Sequence, residues 1–156
     1  MLISTELLLN TLGNTVVERL KNDIKNKPVT KYGAVNASGK LADSIRYEVT
    51  NNGETLRVYA EDYIDYLVYG RKNGKRPPKD VIRKWIDDKG LEPVGISKDS
   101  LAFLIARKIG EEGTTIYQQG GSTLLSDIIT DNLIRETRDK LEDELYVMFK
   151  AELVGV

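Results

Sequence analysis

The sequence predicts an α+β fold: an N-terminal helix, a small antiparallel sheet built on a β-hairpin at about residues 44–60, several packed helices and a long C-terminal helix. Three observations carry this. Apolar residues recur at helical spacing at both ends of the chain. They alternate on either side of an Asn-Asn-Gly turn. Between these lie shorter helical patterns, each ended by a glycine.

Residues 5–25 form the first helix, with Leu8, Leu9, Leu12, Val16, Val17, Leu20 and Ile24 on one face. Ser4 or Thr5 caps it and Pro28 follows its end; Gly13 weakens its middle by about 1 kcal/mol relative to Ala. The segment KPVTKYGAVNASGK is a loop by its Pro, Gly, Asn and Ser content. Ile45, Tyr47 and Val49 then alternate with Ser44, Arg46, Glu48 and Thr50, and after Asn51-Asn52-Gly53 the return strand sets Leu56, Val58 and Ala60 against Thr55, Arg57 and Tyr59. Asn and Gly tolerate the positive φ a tight hairpin needs.

Residues 61–69 make a short helix with Ile64, Leu67 and Val68 inward and Gly70 closing it. Pro78 opens another, whose apolar face is Val81, Ile82, Trp85 and Ile86 and which ends at Gly90. Leu101, Leu104, Ile105 and Ile109 mark the next, closed near Gly110 or Gly113. TTIYQQGGS reads as a flexible loop. From Thr123 a long helix, with room for one break, carries Leu125, Ile129, Leu133, Thr137, Leu141, Leu145 and Phe149; its last residues, YVMFKAELVGV, are read as helix with a strand as the alternative.

The 156 residues suit a single domain, 1–156, and 40% hydrophobic with 30% charged content is that of a soluble globular chain. The formal charge of −1 gives no global attraction to nucleic acid or membrane. No apolar run approaches the roughly 18 residues of a spanning helix, and MLISTELLLN lacks the basic start of a signal peptide, so a cytoplasmic chain is expected. Cysteine and histidine are absent. That excludes disulfides, Cys/His zinc sites, thiol nucleophiles and imidazole triads. Phosphate-binding glycine motifs are absent too. The nearest carboxylate group, Glu61 and Asp62 with Asp65, reads first as acids favouring a helix dipole and only second as a Mg²⁺ site. No catalytic residue, cofactor or metal is predicted.

Ser38-Gly39-Lys40-Leu41-Ala42-Asp43-Ser44-Ile45 resembles the T-G-x-L-x-x-S-I segment that opens the hairpin in neck, or tail-completion, proteins of tailed bacteriophages, with Ser in place of the usual Thr. Tyr59-Ala60, Tyr63, Tyr66 and Tyr69-Gly70-Arg71 are similar to the Y-A-x-Y-x-E-x-G pattern of the same family, although Val68-Tyr69 stands where Glu is usual. The Trp-bearing helix and the one after it, with a Gly-Thr exit, also resemble a variant of that family. The resemblance covers roughly residues 36–115. It implies a non-catalytic virion protein, assembled in the host cytoplasm as a ring at the head–tail junction around the DNA channel. Its partners would be its own copies and the portal-side and tail-side proteins. In physical terms Gly39, Gly53 and Gly70 permit turns, Ser38, or Asp43 and Ser44, can bond nearby backbone, and Leu41 belongs to the same turn motif.

Charge is unevenly spread. Arg71, Lys72, Lys75, Arg76, Lys79, Arg83 and Lys84 against Asp80 give a local +6. Glu136, Asp139, Glu142, Asp143, Glu144 and Glu152 against Arg138, Lys140 and Lys150 give −3. The basic stretch has three readings: a solvated surface, a nucleic-acid grip of the kind that contacts channel DNA, or a subunit contact. The third is preferred, because a head-to-tail ring needs two different complementary patches. Candidate interface residues are then Tyr66, Tyr69, Arg71, Lys72, Lys75, Arg76, Glu142, Asp143 and Glu144. The pattern shows no long exposed apolar stripe, so a loose oligomer that closes only on its partner is expected.

Overall fold

The computed structural model describes residues 5–30, 33–34, 38–50 and 52–154. In chain order these form α1 (Thr5–Asn26), β1 (Pro28–Thr30), β2 (Gly33–Ala34), α2 (Lys40–Ser44), β3 (Arg46–Thr50), β4 (Thr55–Tyr59), α3 (Tyr63–Val68), α4 (Lys79–Asp88), α5 (Lys98–Glu112), α6 (Thr115–Gln118), α7 (Leu124–Ile128) and α8 (Asp131–Val154). The fold is α+β and mostly helical.

The first helix is the organiser. Leu8, Leu9, Val16, Val17, Leu20 and Ile24 of α1 are buried, on the face its periodicity predicts, and the helix packs against β3, β4, α2 and α7. Gly13 is buried because the Tyr47 ring lies where its Cβ would stand. Ser4, the alternative cap, lies outside the described residues.

The hairpin pairs Arg46 with Tyr59 through Thr50 with Thr55 in an antiparallel ladder. Its turn closes with the Glu54 N–H donating to the Thr50 carbonyl at 3.1 Å. Asn52 at φ 55 and Gly53 at φ 87 supply the left-handed backbone, and a Cβ on Gly53 would come within 2.8 Å of Glu6 Cβ. Asn51 lies outside the described residues. Val58, expected inward, is exposed instead. Its cross-strand partner Tyr47 takes the space against α1, and a two-stranded sheet has nothing else to cover the rest.

Three other expectations are corrected, and one is borne out. The predicted loop 27–40 contains the short antiparallel ribbon β1–β2, and its end is the start of α2; residues 31–32 and 35–37 lie outside the described residues. α2 buries Ala42 and delivers Ile45 into the core, so the first hairpin strand begins at Arg46 rather than Ser44. TTIYQQGGS is not a flexible loop. Thr114 caps α6, Ile116 is buried, and the Gly121 N–H donates to the Ile116 carbonyl at 2.9 Å. The C-terminal helix does break once: Ile129 leaves helical geometry at ψ 75 and Thr130 accepts from the Leu133 N–H at 3.2 Å, starting α8. α8 stays helical to Val154, so the strand alternative fails over the described residues.

The main core joins α1, Ala42, Ile45, Leu67, Val68, Leu124 and Ile128. α4 and α5 pack chiefly on each other, through Ile86, Ala102 and Ala106. Val81 and Leu104, both expected on the apolar faces, are exposed. Small alanines four residues apart let the two helices approach closely, so the seam runs along Ala102 and Ala106 and leaves Leu104 on the other side.

Candidate functional site

Ser44 joins the two halves of the family-like pattern. Its hydroxyl donates to the Leu41 carbonyl at 2.7 Å and accepts from the Glu61 N–H at 3.2 Å. Gly39 stands at φ 82 before α2, Leu41 packs against the core, and Ser38 is exposed. These residues shape the fold rather than line a site.

Gly70 fixes the basic segment that follows α3. At φ 75 it turns the chain sharply, and a Cβ there would strike the backbone of Tyr117 and the hydroxyl of Thr114. The Arg71 N–H donates to Thr114 Oγ1 at 2.9 Å, the Thr114 N–H donates to the Arg71 carbonyl at 2.9 Å, and the Gly74 N–H donates to the Gly110 carbonyl at 2.8 Å. Residues 71–76 are therefore held by backbone bonds to the end of α5, with Pro77 buried behind them.

The side chains of this segment point out. Lys72, Lys75 and Arg76 are exposed; Arg71 is half-buried, 5.7 Å from the Tyr66 ring centre, with Nη2 donating to the Lys75 carbonyl at 3.4 Å. Arg76 lies 5.9 Å from the Phe103 ring centre. Among the described residues no carboxylate pairs with any of these four cations. Arg83 and Lys84 differ. Arg83 meets Asp99 at 3.1 Å and Asp87 at 3.3 Å, and Lys84 meets Asp88 at 2.9 Å. The hydrogen bond from Lys98, with the charge of Arg83 beside it, holds the Asp87 carboxyl below its usual range. The available basic patch is thus Arg71 to Lys79, shorter than the 71–84 run the sequence suggests.

Tyr66 and Tyr69 are 43% and 66% exposed, beside this patch, and Tyr63 stacks edge-on against Tyr66 with ring centres 5.9 Å apart. Glu61, Asp62 and Asp65 do not gather. Among the described residues no set of three carboxylates stands close enough to hold a metal.

On α8, Glu142 reaches Arg138 at 3.7 Å and Asp143 is exposed. Glu144 turns toward the half-buried face, where its Oε1 is out of water without a hydrogen-bond partner among the described residues. The three predicted acids therefore do not form one surface. The larger correction lies just beyond them. Leu145, Tyr146, Val147, Met148, Phe149 and Leu153 are all exposed, so a long apolar stripe exists where none was expected. The sequence pattern shows these residues, and only the fold shows that they are exposed.

No protein-family model, curated protein or solved structure matches the chain. No helix among the described residues is long and apolar enough to cross a membrane.

Proposed function

We propose that this protein is a non-catalytic structural component of a tailed-phage virion. It assembles with its own copies into a ring at the head–tail junction, between portal-side and tail-side proteins, around the DNA channel. The observation that carries the reading is the basic segment 71–76. It is anchored through its backbone, yet Lys72, Lys75 and Arg76 present cations without acidic partners among the described residues. Such a rigid charged edge costs little to order on binding and suits register and partner choice. The resemblance in residues 38–45 and 59–71 supplies the setting, and the structure gives those residues a shared scaffold role through Ser44.

The test reverses Lys72, Lys75, Arg76 and Lys79 to Glu and leaves Arg71, whose side chain lies along the segment it belongs to. The exposed positions predict a folded chain, since surface changes typically shift stability by under about 0.5 kcal/mol each. In an extract lacking the native protein, particles are scored separately for tail attachment and DNA retention. Loss of tail attachment supports subunit contact, because like charges at an interface cost several kcal/mol. Normal attachment with DNA leakage assigns the segment to nucleic acid instead. Normal results on both counts reject a binding role for the basic segment.

A further inference from the structure

The exposed part of α8 has two distinct faces. Leu133, Thr137, Leu141, Glu144 and Ala151 are half-buried and point one way, toward the side that packs on α1. Glu142, Tyr146, Phe149 and Leu153 recur at i, i+4, i+7 and i+11 and form a separate outward stripe, with Leu145 beside it. Phe149 is 62% exposed and Leu153 86%. A helix apolar on most of its sides is built to be covered.

Leu145, Tyr146, Phe149 and Leu153, each about half or more in solvent, amount to on the order of 500 Å² on this side of the helix. A standard interface takes roughly 800 Å² from each partner. The area fits a protein partner rather than a small ligand.

A matching surface lies on α4–α5. Phe103, Leu104 and Val81 are exposed there, and Phe103 and Leu104 line a shallow groove of about 400 Å³ with Lys79, Asp99 and Ser100. Arg76 sits over Phe103 and Lys79 lines the groove, so these two cations border it. The stripe on α8 is apolar with acids at its N-terminal end, Glu142 and Asp143. The groove is apolar with a basic border. Glu142 lies seven residues before Phe149, or about 10 Å along the helix.

We infer that the C-terminal half of α8 docks on the α4–α5 groove of a second copy of this chain, with Phe149 against Phe103 and Leu104 and with Glu142 and Asp143 facing Arg76 and Lys79. The inference deepens the ring reading above, because it names the two surfaces a head-to-tail ring joins. Complementary patches that differ propagate from copy to copy. A symmetric α8–α8 pair is disfavoured, since residues 142–153 carry four acids, Glu142, Asp143, Glu144 and Glu152, against Lys150 alone, and two such segments repel.

The chain has no cysteine, so introduced thiols report one position each. Leu153→Cys and Leu104→Cys are both exposed sites. The purified variants are treated with a short bismaleimide over a concentration series to millimolar. Mixing the two single variants should give a crosslinked dimer, each alone should not, and the double variant should give a ladder of higher oligomers. Adding Phe149→Glu should reduce the ladder roughly tenfold or more. Homodimers from Leu153→Cys alone, or no product between chains at any concentration, overturn the inference. Failure of the function reading is distinguishable. A ladder from a protein that proves absent from particles leaves the docking intact and removes the virion role. Assembly into particles without crosslinking keeps the role and removes the docking.

Discussion

The two long helices at the ends of the described chain have nearly the same length, 22 residues in α1 and 24 in α8, and both carry apolar residues at helical spacing. Their fates are opposite. α1 buries six large apolar side chains plus Gly13, whereas no described side chain of α8 is buried. Periodicity reports that a helix has an apolar face; it does not report whether the partner of that face lies in the same chain. In α1 the partners are β3, β4, α2 and α7. α8 also contacts α1, yet Leu145, Tyr146, Val147, Met148, Phe149 and Leu153 in its C-terminal half stay exposed.

The strongest way to break this contrast is to truncate one buried and one exposed side chain. Ile24 is 1% exposed in the main core, and Ile24→Ala should cost about 2–5 kcal/mol in chemical denaturation. Phe149→Ala, a larger deletion, should cost under about 0.5 kcal/mol in the dilute monomer, because its ring is already in water. Comparable losses at the two positions would mean that α8 is packed within its own chain.

Gly13 gives the next largest effect. Helix propensity alone makes Gly13→Ala stabilising by about 1 kcal/mol. The Tyr47 ring occupies the Cβ position, and crowding a packed aromatic typically costs about 1–3 kcal/mol. Steric conflict should win, with a net loss of roughly 1 kcal/mol. A gain in thermal midpoint would show that the hairpin slides freely on α1.

Much of this was legible beforehand. The spans of α1, the hairpin, α3, α4, α5 and the broken α7–α8 helix follow from period and punctuation. α2 was hidden because five residues show barely more than one helical turn, and α6 because its single buried anchor, Ile116, sits among polar neighbours and glycines. The α4–α5 seam was misplaced because large residues dominate a periodicity reading, while the close contact is made by Ala102 and Ala106. For the candidate site, the basic segment was visible in composition. Its true extent was not, since the pairing of Arg83 and Lys84 with α4 and α5 acids is set by the fold. The exposed apolar stripe of α8, where none was expected, was hidden for the same reason: burial is a property of partners.

Thr114 sharpens the comparison from the receiving side, because the surface proposed to meet α8 must be fixed in place. Its hydroxyl accepts from the N–H groups of Arg71 at 2.9 Å and Tyr117 at 3.4 Å. Thr114→Val should lower stability by about 1 kcal/mol, the usual cost of a lost cap. It should also raise amide exchange at Arg71 and Gly74 relative to the α1 core. Unchanged exchange there would mean that the segment is held by packing alone.

The smallest effect concerns the far end of α1, which is tied down by an ion pair. Lys27, just past α1, pairs with Asp127 of α7 and with Asp23 at 3.8 Å. The hydrogen bond from Lys27, then that from Thr123, holds the Asp127 carboxyl below its ordinary range, and the bond to Asp127 raises Lys27 above its ordinary 10.5. Because the folded Asp127 value is the lower one, its contribution is full above the unfolded value of about 3.9 and is lost as pH falls through the folded value. Lys27 works in the opposite sense: its contribution is full below 10.5 and is lost as pH rises through the higher folded value. Between about pH 5 and 9 the pair is therefore fully charged and its effect is flat. Both groups are solvent-facing, so the effect is small and screened by salt. Thermal midpoints of the wild type and Asp127→Asn should differ slightly at pH 7 and converge below about pH 3. A gap of constant size across that range would show that Asp127 acts through shape rather than charge, and that α1 is secured by its buried face alone.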